Sequence, residues 1–195
     1  MGENEESRRA VSGNSNYLTM WTAQTEQVME TLERDGIYYV KKEYITLKYG
    51  NTAWIFREAY HFFTERAKKL VEKPQLAESP VWMFCDKRWA VPVGGGCRIK
   101  LRIPRSEVIL FDQRLWSKIL NLSYIGTSEQ EKEFERKLQK MGIAESTDVF
   151  QKPYYPMLKA EILKSWERLF EEACPEPLYA EGAAWMIRKD WVQQE

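Results

Sequence analysis

The stretch Cys97-Arg98-Ile99-Lys100-Leu101-Arg102-Ile103 decides the fold class. Its apolar residues and its cations alternate without a break, the two-residue period of a strand with one dry and one wet face. Upstream, residues 53–72 carry a different period. Ile55, Phe56, Ala59, Phe62, Phe63, Ala67 and Leu70 recur at three- and four-residue steps, which predicts a helix with a wide apolar stripe. Thr52 is its expected cap and Pro74 its expected stop.

Working outward, Tyr17–Trp21 reads as a first strand, with Thr22 capping a helix from Ala23 to Asp35 that Gly36 ends. Residues 37–47 read as extended, and 81–86 and 107–111 as further strands. Helices are expected over 113–121, over 128–142 (opened by a capping box of Ser128 and Glu131) and over 158–173. Residues 183–187 read as a closing strand that pairs with the first. Strands and helices mix without a regular alternation, which implies an α+β class. The expected architecture is a single domain over 17–195: a small, mostly antiparallel central sheet with helices packed around it. Met1–Asn16 is polar and rich in Gly, Ser and Asn, the composition of a flexible tail.

Composition narrows the partners. Acids and bases balance to a formal net charge of zero over 195 residues, so nucleic acid is the less expected partner, since phosphate neutralisation favours basic chains. A small nucleotide or a protein partner fits better. The three cysteines, Cys85, Cys97 and Cys174, match no zinc or disulfide spacing. With no apolar leader and no membrane-length apolar run, a soluble, cytoplasmic protein is expected.

Few residues invite chemistry. Gly94-Gly95-Gly96 precedes a strand instead of a helix, so it reads as a hairpin turn and not as a phosphate cradle. His61 is the lone histidine and sits within the apolar helix, which suits a structural role; no metal site is expected. Arg98, Lys100 and Arg102 form a basic stripe whose cations suit a phosphate chain or nucleotide, although the alternation of a wet strand face by itself accounts for them. Of eight tryptophans, Trp21, Trp82 and Trp185 lie on or beside strands near polar residues, the make-up of a nucleotide pocket as well as of a core.

Four segments occur in a telling order: LTMWTAQT (18–25), EVILFDQRLWSKILN (107–121), ILKSWERLF (162–170) and AAWMI (183–187). Together they resemble the small bacterial family called domain of unknown function 3841, from Leu18 to Trp191. In that family a Leu-Trp-Thr-x-Gln segment, a Leu-x-x-Asp-x-x-x-Trp-x-x-x-Leu-Asn segment and a Ser-Trp-Glu-x-x-Phe segment recur. The closing segment departs from the family pattern: Glu181-Gly182 stand where a glutamine is expected. The resemblance implies a fold and a bacterial or phage origin, and no activity.

Two functional classes follow. The first is an enzyme of the ADP-ribosyltransferase type, holding an NAD-type dinucleotide in a split sheet, with a polar anchor on an early strand and a glutamate on a late one. Glu181 is then the catalytic carboxylate, and Trp21, Thr22, Gln24, Arg98, Arg102 and Trp185 are the ligand-binding candidates. NAD belongs to this reading alone, and no other cofactor is evident. The second is a non-catalytic interaction or regulatory module, as in phage defence or a toxin–antitoxin pair.

Overall fold

A computed structural model describes residues 16–43, 47, 49–172 and 177–193. The tail before Asn16 and Cys174 lie outside these residues. The chain is α+β and divides into two compact units, one from Met1–Tyr44, Thr64–Leu110 and Cys174–Glu195, the other from Ile45–Phe63 and Phe111–Ala173.

The first unit is built on a sheet. Its strands are β1 (Tyr17–Gln24), β3 (Val81–Phe84), β4 (Cys97–Pro104), β5 (Ile109–Asp112), β6 (Ala180–Ala184) and β8 (Val192–Gln193), in the order β5-β6-β3-β1-β4-β8. A separate pair joins β2 (Ile37–Tyr38) to β7 (Ile187–Arg188). First and last strands do not pair, because β3 lies between β1 and β6. The expected closing strand splits instead: Ala180–Ala184 joins the large sheet, Ile187–Arg188 the small one.

β1 runs to Gln24 and not to Trp21, because it pairs with β4 over its whole length, from Tyr17 opposite Pro104 to Gln24 opposite Cys97. Thr22 therefore sits in a strand. The helix α1 (Glu26–Asp35) starts later, after Thr25, and Gly36 ends it in a left-handed conformation with φ 74°. Val28 and Leu32 of α1 join Leu18, Met20, Met83, Leu101 and Ile103 in one buried apolar cluster on one sheet face. Gly182 of β6 faces that cluster at close range. A Cβ there would meet Met20 Cε at 2.7 Å and Val108 Cγ1 at 3.0 Å. A side chain at this position would have to displace the Met20 methyl and press on Val108, which favours glycine.

The second unit packs on aromatics. Helix α2 (Ala53–Ala67) is preceded by a short turn, with the Thr52 hydroxyl donating to the Tyr49 carbonyl instead of capping. It ends at Ala67, seven residues before Pro74, and Leu70 is exposed. Phe62 meets Trp166 edge-on with centroids 5.2 Å apart, and Phe63 contacts Phe111, Trp116 and Phe170. Asp112 caps α3 (Gln113–Leu120) by accepting from the Arg114 N–H. Helix α4 (Ser128–Lys140) opens one residue earlier than the sequence suggests, on a Thr127–Gln130 capping box. Glu131 is taken instead by Lys118 and the Gly126 N–H. After α5 (Ser146–Gln151) the expected long helix breaks into α6 (Pro156–Ser165) and α7 (Arg168–Glu171). The Trp166 indole N–H donates to the Ser123 carbonyl at 2.7 Å, and the Ser165 hydroxyl accepts from the Ile125 N–H. The Trp116 and Ser-Trp-Glu segments are thus the core of this unit.

Candidate functional site

Opposed residues of antiparallel strands share a sheet face. The registers Gln193–Lys100, Lys100–Trp21, Trp21–Phe84 and Phe84–Glu181 therefore draw one row across β8, β4, β1, β3 and β6. Gly182 faces the apolar cluster, so Glu181 faces the opposite side, as does the row. Lys100 lies over the Trp21 ring, 5.8 Å from its centroid. At about 4.8 Å per strand step, Glu181 stands roughly 10 Å from Trp21 and 14 Å from Lys100, backbone to backbone.

Glu181 is the exceptional residue. It is 5% exposed, and no hydrogen bond or ion pair among the described residues engages its carboxyl. Burial alone pushes that carboxyl up to about 8. In the free protein at neutral pH it is mostly protonated.

Pairing within the sheet is sparse beside this row. β1 pairs with β4 at eight positions but with β3 at one, Trp21 opposite Phe84. Next to that single point a side chain replaces the ladder: the Thr22 hydroxyl donates to the Trp82 carbonyl at 2.9 Å, and Gln24 Nε2 donates to Thr22 Oγ1 at 2.8 Å. This chain accounts for threonine and glutamine two residues apart. By alternation both side chains lie on the side of Met20, away from Glu181.

The other candidates are placed as follows. Arg98 and Arg102 share the face of Trp21 and are exposed, Arg98 donating through Nε to the Ala90 carbonyl at 2.9 Å and Arg102 stacking over Tyr17 at 4.0 Å. Trp185 lies past the end of β6, buried, its indole N–H donating to the Val71 carbonyl at 3.0 Å. The structure thus brings Trp21 and Glu181 into one row and joins Thr22 to Gln24, while Trp185 is held elsewhere. Gly94 and Gly95 have positive φ in a turn that leads into β4, and His61 is exposed on α2. Among the described residues no three of His, Cys, Asp or Glu gather as metal ligands.

Sequence reasoning passed over Phe84 and two buried aspartates. Asp86 accepts from the Arg88 backbone N–H and guanidinium, and Asp112 from those of Arg114, with matching geometry. The signal was available: CDKR and FDQR each place Asp-x-Arg at or just past a strand end.

These features define an α+β protein with an antiparallel sheet that is sparsely paired between β1 and β3, and with a buried carboxyl nearby that has no partner among the described residues. The chain belongs to the family described as domain of unknown function (DUF3841), whose model matches residues 19–193. No curated protein and no solved structure matches it. No helix among the described residues is long and apolar enough to cross a membrane.

Proposed function

We propose that this protein is a nucleotide-handling enzyme of the ADP-ribosyltransferase type, with an NAD-type dinucleotide as substrate. The carrying observation is Glu181: a buried acid with no partner among the described residues, on a strand one place removed from a β1 that barely pairs with the strand between them. A buried carboxyl ionises when a cation is set against it. The nicotinamide ring of NAD carries such a charge, and the neighbouring Phe84 and Trp21 supply aromatic surface for a flat ring. Ionised, Glu181 stabilises positive charge developing at the ribose carbon as the bond to nicotinamide breaks. An acceptor nucleophile, or water when NAD is the sole substrate, bonds to that carbon and gives its proton to solvent. Thr22 and Gln24 act here as a strap between β1 and β3, not as ligand contacts.

The test is to incubate the protein with NAD, following the melting temperature and nicotinamide release. The reading expects an NAD-induced rise in melting temperature for the wild type, nicotinamide release, and loss of the release in Glu181→Gln. Neither a shift nor release in the wild type would overturn it and favour a non-catalytic interaction module.

A further inference from the structure

The basic stripe on β4 is not absorbed by that reading. On the face shared by β1, β4 and β8 the residues are Tyr17, Thr19, Trp21 and Ala23, then Arg98, Lys100 and Arg102, then Gln193. None is acidic. Among the described residues neither Arg98 nor Arg102 has a carboxylate partner, and both are exposed. In a chain of zero net charge with many ion pairs, three cations with no acid among the described residues of these three strands on this face are a local departure. The three cations repeat at about 6.7 Å, two residues of strand rise.

The Arg102 guanidinium lies over the Tyr17 ring, 4.0 Å from its centroid, and Tyr17 is 41% exposed. A stacked guanidinium keeps its N–H edge outward for a phosphate oxygen, while the exposed ring beside it offers stacking surface for a base. An acidic peptide gains main-chain bonds at a sheet edge; a sheet face offers side chains alone. Regular cations with a neighbouring aromatic suit a repeating phosphodiester better.

We infer that the Arg98–Lys100–Arg102 face binds single-stranded nucleic acid, its phosphates along β4 and a base against Tyr17. The inference does not depend on NAD chemistry at Glu181.

The experiment is fluorescence anisotropy of a labelled oligothymidylate of about 20 nucleotides with the full chain, from 50 to 200 mM salt. Three phosphate contacts predict a slope of log affinity on log salt near about −2. Arg98→Glu with Arg102→Glu is expected to weaken binding at least about tenfold, with the melting temperature unchanged. Tyr17→Ala is expected to weaken it less and to leave the salt slope as it was. No binding by the wild type at low salt, or undiminished binding by the double reversal, would overturn the inference. So would polyglutamate competing as well as the oligonucleotide. The double variant's response to NAD is read in parallel: a retained NAD shift with lost oligonucleotide binding separates this surface from the Glu181 site.

Discussion

Asp86 and Asp112 at their strand ends and Glu181 in mid-strand are buried to a similar degree, yet the protein treats them oppositely. Hydrogen bonds from the Arg88 side chain hold the Asp86 carboxyl below the usual range against the opposing effect of burial. At Asp112 burial is the largest influence and pushes upward, but the Arg114 side chain, backbone N–H and charge together outweigh it. Glu181 has no such group among the described residues, and burial pushes its carboxyl up. The difference lies in the neighbours. An acid followed two residues later by arginine in a turn finds its partner locally. An acid inside a strand has its sequence neighbours pointing away or occupied in the ladder, and waits for a partner from outside.

That contrast has opposite signs in pH. Glu181 has a native value above its unfolded one, so at low pH both states are protonated and the acid costs nothing as an ion. As pH rises from about 4.5 toward 8 the unfolded state ionises first, and stability falls by about 1.4 kcal/mol per pH unit. Glu181→Gln removes this slope. It is expected to be more stable than the wild type by about 3 kcal/mol more at pH 7 than at pH 4.5, read by urea unfolding at both values. An equal difference at both would show that the carboxyl is partnered. The two aspartates have native values below their unfolded ones, so their contribution is present above the unfolded value and is lost as pH falls through the native one.

Smaller effects sharpen the comparison. Asp112→Ala removes a helix cap and the ion pair with Arg114; because Arg114 is half exposed, a loss of about 2 kcal/mol at neutral pH is expected. Thr22→Val removes the hydroxyl between β1 and β3 and is expected to cost about 1 kcal/mol, with Thr22→Ser recovering most of it. Asp86→Ala, which lacks the helix cap, is expected to cost less than Asp112→Ala, about 1 kcal/mol. If Asp86→Ala proved the worse of the two, the cap would not be what separates them.

Much of this fold was legible where local pattern and tertiary packing agree. The alternation at 97–103 and the stripe from Ile55 to Ala67 became β4 and α2, and Gly36 ended α1 as its turn chemistry required. Boundaries were lost where pairing overrode local preference. Thr22 is a good cap in isolation, but β4 extends the strand past it. Ser128 yielded to Thr127, whose hydroxyl and Gln130 complete the box. At the site, Glu181 could be named as an acid next to a strand. That it is buried and unpartnered depends on β3 lying beside β6, a contact between residues almost a hundred positions apart that no local period reports. The Thr22–Gln24 spacing was visible, but its reason, the Trp82 carbonyl, was not.

The central claim is that Glu181 waits for a cationic ligand, and proton release on binding measures this directly. Calorimetric titration of NAD at pH 7, in buffers of different ionisation heat, is expected to give a release close to one proton in the wild type and none in Glu181→Gln. Binding with no proton released by the wild type, or with the same release in both proteins, would contradict it.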